Sequence, residues 1–172
     1  MKGIRTALLC LLLLCGCGGR AVTAAEALAE LAEHCDVPYA LGSPLAESED
    51  MWSGQGRWAD YRHTPGWGCF SLENNDVRFE MGGWPDVQDP YHVVRFQLKT
   101  GRYALFGLRV GCSREEAEQV LTRRGYTAAA ENEESRGYTK GEIWLGVRWD
   151  RAGMVTRFTA SIPSTNVEDV VF

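Results

Sequence analysis

The densest set of side chains able to do chemistry lies in Trp84-Pro85-Asp86-Val87-Gln88-Asp89-Pro90-Tyr91-His92. Asp86, Asp89 and His92 are spaced three apart, so two carboxylates and an imidazole could meet as cation ligands or as an acid–base pair. Two carboxylates are too few for a closed calcium cage, which takes about six to eight oxygens. The flanking prolines stiffen the stretch, and Asp side chains in such places bond their own backbone to close turns. The residues therefore predict a capped loop, with no metal. A second candidate is Cys112, just before a helix start, where the helix dipole would lower a thiol pKa. No residue that would orient a partner for it can be named. His34 falls at a helix C-terminus, and His92 falls on the apolar face of a strand pattern, as a buried and satisfied imidazole. Nucleophile-elbow, phosphate-loop, zinc-protease, paired C-x-x-C and EF-hand patterns are absent. The expectation is a protein that is not an enzyme, with no catalytic residue and no cofactor.

One thiol does have a definite chemistry. Lys2 and Arg5 form a positive n-region, and Leu8, Leu9 and Leu11 to Leu14 dominate a short apolar stretch that ends Leu14-Cys15-Gly16-Cys17. The stretch is shorter than the roughly 20 apolar residues of a spanning helix and has the flanks of a secretory leader. Its end resembles a bacterial lipobox. Only a Cys sulfur can accept a diacylglyceryl group as a thioether, and small residues before it let the chain enter the peptidase. The sequence thus predicts a signal peptide over residues 1–16, lipidation at Cys17, a tether over 17–22 and one domain over 23–172. Removal of residues 1–16 takes away two positive charges. That leaves 16 basic against 23 acidic residues, a formal charge of -7. An anionic membrane surface repels such a body, so the lipid must hold it. No Asp follows Cys17, so the usual inner-membrane retention signal is missing. The expected place is the cell membrane or an outer membrane, on the extracytoplasmic side. The acidic balance gives no support to a nucleic-acid surface. Cys35, Cys69 and Cys112 remain in the mature body as an odd set, either with one disulfide or as small buried hydrophobes.

Two capping boxes mark helices. Thr23 and Glu26 open one that carries Leu28, Leu31, Ala32 and Cys35 as an apolar stripe. Ser113 and Glu116 open the other, with Glu115, Glu116 and Glu118 early, Arg123 and Arg124 late, and Gly125 placed as a C′ residue. Residues 42–66 show no clean period and read as a long loop, or a loop with a short helix, holding Trp52, Trp58 and Tyr61. Strand patterns cover 68–73, 77–81, 92–98, 103–106, 137–140, 143–149 and 154–162, with Asp150 to Gly153 as a hairpin turn. The fold class is α+β: an antiparallel sheet with packed helices. The order of elements over 23–98 and 103–162 reads as a pseudo-repeat of two similar halves, against the alternative of two ordinary α+β stretches.

The stretch Leu105-Phe106-Gly107-Leu108-Arg109-Val110-Gly111-Cys112-Ser113-Arg114-Glu115-Glu116, continued by Ala117, Val120, Leu121 and Gly125, resembles the helix start of BamE-like (SmpA-type) lipoprotein domains. The strand–turn–strand at 149–162 and the lipobox fit the same pattern. The β-lactamase-inhibitor protein has a related architecture with two such units in tandem. The resemblance implies a non-catalytic fold used to bind proteins.

Six tryptophans and six tyrosines are many for one domain. Exposed aromatics mark binding surfaces, and buried ones cap the edges of a small core. The candidate surface is Trp52, Trp58, Tyr61 and Trp84, with Trp67 in the wider set of loop tryptophans. Trp144 lies opposite Ile143, Leu145 and Val147 on its strand. The expected function is a non-enzymatic, membrane-anchored envelope lipoprotein that binds a protein partner. The alternative is a carbohydrate- or ligand-binding module built on the loop tryptophans.

Overall fold

The computed structural model describes residues 22–44, 57–64, 67–83 and 91–162. Helix α1 is Ala24–Glu33, and strands β1 Arg57–Thr64, β2 Trp67–Glu73, β3 Val77–Gly83 and β4 Tyr91–Leu98 follow it. Helix α2 is Arg114–Arg123, followed by β5 Thr127–Asn132, β6 Ser135–Lys140, β7 Ile143–Trp149 and β8 Val155–Ser161. Among the described residues the strands form one eight-stranded sheet in the order β1-β2-β3-β4-β8-β7-β6-β5. Every pairing in it is antiparallel. The α+β class expected from the sequence is therefore observed.

Both helices begin where their caps place them. Thr23 accepts from the Glu26 amide while the Glu26 carboxylate takes the Thr23 amide at 2.9 Å, so both halves of the box form. Ser113 Oγ accepts from the Glu116 amide at 3.1 Å. Helix α2 ends in a Schellman turn: the Tyr126 amide donates to Leu121 and the Gly125 amide to Thr122, with Gly125 at φ +80°. Ser113→Ala is expected to cost about 1 kcal/mol, the usual effect of losing an N-cap. A urea titration that matches wild type would show that the cap contributes nothing.

One face of the sheet and both helices share a single core. From α1 it takes Ala27 and Leu31, from α2 Ala117 and Leu121, and from the strands Phe79, Phe96, Leu145, Val147 and Phe158. The α1 stripe is rotated from its expected position, since Ala27 is buried and Ala32 is exposed. A half-buried polar cluster ties the helices together. The Lys140 ammonium on β6 pairs with Glu30 of α1 and donates to the Arg124 carbonyl at 2.6 Å, where it caps the α2 C-terminus.

Several readings of the sequence need correction. Residues 57–64, taken as loop, are strand β1, and Trp67 opens β2 instead of lying in a loop. Residues 103–106 are not a strand. Leu105 and Leu108 exchange backbone bonds of 2.9 Å around Phe106 and Gly107, at φ +54° and +81°. Two consecutive left-handed residues make this a type I′ turn. Strand β5 carries no alternation, because all six of its residues are exposed at the sheet edge. In β4 the register slips at Val94: Glu80 faces Arg95 but Met81 faces Val93. The bulge turns Val93 into the core and moves His92 off the core face. The same slip occurs in β8 at Thr156, where Arg148 faces Arg157 and Trp149 faces Val155. Val155 is buried there, while Met154 and Thr156 are exposed.

Candidate functional site

Of the residues singled out in the sequence, Cys17, Trp52, Trp84, Asp86 and Asp89 lie outside the described residues. Trp58 and Tyr61 stand on edge strand β1, in register with Leu72 and Phe70 of β2. Half-buried His92 has its Nδ1 3.1 Å from the Gly42 carbonyl. Among the described residues no group of three His, Cys, Asp or Glu side chains could hold a metal.

Cys112 is not the activated thiol that its place before α2 implied. Burial raises its pKa, and the nearby Glu116 carboxylate raises it further. Desolvation outweighs the helix N-terminus because the thiolate would have to form in a partly dry site. Cys35 is pushed up to about 12, again chiefly by burial. Both carry free thiols. A raised pKa means less thiolate at a given pH. Alkylation at pH 8 followed by mass spectrometry is expected to modify Cys112 well ahead of Cys35. Reaction in the reverse order would contradict these environments.

The face of the sheet away from the helices is polar and ordered in rows across the strands. One row runs Ser71, Glu80, Arg95, Ser161, Trp144, Thr139 from β2 to β6. The next runs Glu73, Arg78, Gln97, Thr159, Gly146, Gly137. Alternation along each strand forces this composition: every second residue faces the core and its neighbours face outward. Glu80 sits between two arginines, 3.1 Å from Arg95 and 3.5 Å from Arg78. Glu73 holds Lys99 at 2.6 Å. Opposite charges on neighbouring strands fix the register of the face.

Exposure grows from the centre of this face toward β6 and β7. Arg95 is 5% exposed and Thr159 8%. Trp144 and Arg157 are half-buried, and Arg148 is exposed. The Trp144 ring lies over the facing pair Gly137 and Gly146. A Cβ at Gly137 would come within 2.8 Å of the indole Nε1, and one at Gly146 would come closer still to the ring. Glycine in a strand interior allows such a close approach. Here two glycines make the seat of an indole on the outer surface. Sequence alternation placed Trp144 on this face, and the cross-strand glycine pair was the signal for its seat.

Trp58 and Tyr61 do not join this surface. They stand five strands from β7, about 24 Å at the usual strand spacing.

No protein-family model matches the chain, and no curated protein matches it. Matching solved structures include a cysteine-rich secretory protein from Staphylococcus aureus subsp. aureus Mu50, at 11% identity and a TM-score of 0.45. They also include an extracellular protein containing an SCP domain from Bacillus anthracis str. Ames, at 8% identity and a TM-score of 0.43. Each alignment covers 71% of this chain and 44% of the other, so the chain spans under half the length of those proteins. The expected resemblance to BamE-like domains and to the β-lactamase-inhibitor protein is corrected: the structures matched include a cysteine-rich secretory protein and an SCP-domain extracellular protein. The residues that carried it form a type I′ turn and an N-cap, local devices that unrelated folds share.

Proposed function

We propose that the protein is a non-enzymatic lipoprotein of the bacterial cell envelope, anchored through Cys17, which binds a protein partner with the outer face of β6, β7 and β8. The observation that carries the reading is the outer face itself, where Trp144 on its glycine seat lies beside Thr139 and Ser161. A half-buried indole on a rigid strand supplies contact area at low entropic cost, as interface anchors do. The leader and Leu14-Cys15-Gly16-Cys17 support the envelope location. No helix among the described residues is long and apolar enough to cross a membrane.

We also read 23–98 and 103–162 as two copies of one unit. Each has a capped helix followed by a four-stranded meander. Equivalent bulges at Val94 and Thr156 turn equivalent valines, Val93 and Val155, into the core. The central pairing is reciprocal as well, with Phe96 facing Ala160 and Leu98 facing Phe158.

A photo-crosslinking residue at Thr139 tests the binding role in cells, with Glu115 on α2 as the control position. Crosslinking to one protein from position 139, lost in Trp144→Ala and kept in Trp144→Phe, is the expected result. Equal adducts from both positions, or none from 139, would sink the reading.

A further inference from the structure

An open groove of about 360 Å³ lies at the β7–β8 hairpin, lined by Arg148, Arg151 and Arg157 with Glu134, Asp150 and Thr156. Both acids are already engaged. Glu134 pairs with Arg148 at 2.7 Å. Asp150 Oδ1 closes the hairpin by accepting from the amides of Ala152 and Met154 at 2.9 and 3.0 Å. Among the described residues neither Arg151 nor Arg157 has an ion-pair partner. Arg148 and Arg157 also face each other directly across the two strands. Like charges in that position destabilise a sheet, so Arg157, facing an Arg148 already held by Glu134, calls for an anion from outside. It does so in a chain whose formal charge is -5.

The groove also has a fixed place relative to the tether. The backbone of Val22 and Thr23 lies against Gly141 in the β6–β7 turn, where a Cβ would sit 3.3 Å from the Val22 carbonyl oxygen. Strand β7 then runs away from that turn for seven residues, about 20 Å, and the groove lies at its far end. Val22 lies five residues beyond Cys17, a reach of about 17 Å. With Cys17 lipidated as proposed above, the Gly141 end would lie nearer the anchor than the arginines do.

We propose that this groove docks an acidic segment of the protein partner, carboxylates meeting the guanidinium groups of Arg151 and Arg157. The proposal rests on the protein-binding reading above and names the chemistry of the partner. Arginine forks match carboxylates in a bidentate way, and the groove's place at the end of β7 opposite Val22 favours a protein over a lipid headgroup.

The test uses the detergent-solubilised full-length protein and fluorescence anisotropy with a labelled hexaglutamate peptide. Hexalysine and phosphatidylglycerol vesicles serve as the other arms. Hexaglutamate is expected to bind and to weaken as salt is raised. The double variant Arg151→Gln, Arg157→Gln is expected to bind at least tenfold more weakly. Arg102→Gln, an exposed arginine in another pair, is expected to leave binding unchanged. Because Arg157 faces Arg148, Arg157→Gln is also expected to hold or raise the melting temperature, a direction opposite to its effect on binding. Equal weakening by Arg102→Gln, no hexaglutamate binding, or preferential binding of the vesicles through Arg151 and Arg157 would overturn the proposal. If any of these occurs while crosslinks still form from position 139, only the acidic-partner inference falls. If the crosslinks fail too, the protein-binding reading falls with it.

Discussion

Phe158→Ala is expected to remove about 4 kcal/mol of stability, the usual cost of emptying a buried aromatic site. Phe158 is fully buried. It faces Leu98 of β4 on one side and Val147 of β7 on the other. Among the described residues, strand β8 joins the β1–β4 meander to β7, β6 and β5 within the sheet. The hole would open at that seam, between two units held by their own hydrogen bonds, so neither could collapse far into it. Small domains have about 5 to 15 kcal/mol in all, and the variant would lose a large share of that. In urea the transition midpoint should fall steeply while the slope stays the same, if the sheet still unfolds as one unit. A loss below about 1 kcal/mol would show that the seam is not held by this ring.

Cys17→Ser is expected to abolish incorporation of labelled palmitate and to remove the protein from the membrane fraction. The hydroxyl cannot take the place of the sulfur, because the diacylglyceryl group is joined as a thioether. The acidic body supplies no electrostatic substitute for the lipid at an anionic surface. A single acyl chain holds a protein only marginally, whereas two or more hold it stably, so the change should read as nearly all or none. Cys15→Ser is the companion variant, and its labelling should persist. Persistent labelling of Cys17→Ser, or loss in Cys15→Ser alone, would move or remove the anchor.

Much of the fold was legible wherever one physical rule acted alone. The caps at Thr23 and Ser113 opened helices where expected, because a side chain three residues from a free amide has a local solution. Val77 to Met81 and Ile143 to Trp149 alternate without interruption and were read in the right phase. The reading failed where a strand changes phase. A bulge adds one residue, and the sequence around Val94 or Thr156 alternates just as well in the wrong phase. Only the partner strand decides between the two. Strand β5 was missed because an exposed edge places no demand on polarity. At Leu105 to Leu108 an apolar run looked like a strand, although Phe106 and Gly107 reverse the chain. The candidate surface was legible in part. Alternation put Trp144 outward, but its seat and the arginine groove need strands that meet only in space. Cys112 was misjudged because its sequence position suggests a dipole and does not show the burial around it.

The strand order has a consequence for how the chain is made. The central pair, β4 and β8, is joined across residues 95–98 and 158–161, so the last of the described strands to be synthesised is the one that completes the middle of the sheet. Until β8 arrives, β4 and β7 each present an open edge with buried-type residues beside it, Phe96 and Leu98 on one and Leu145 and Val147 on the other. Unpaired apolar edges are templates for pairing with other chains, and pairing at such long sequence separation is slow. A chain cut short before Val155 would therefore leave two half-sheets with complementary edges and nothing between them. Such a fragment is expected to assemble with its own copies, a fate that closure by β8 spares the full-length chain.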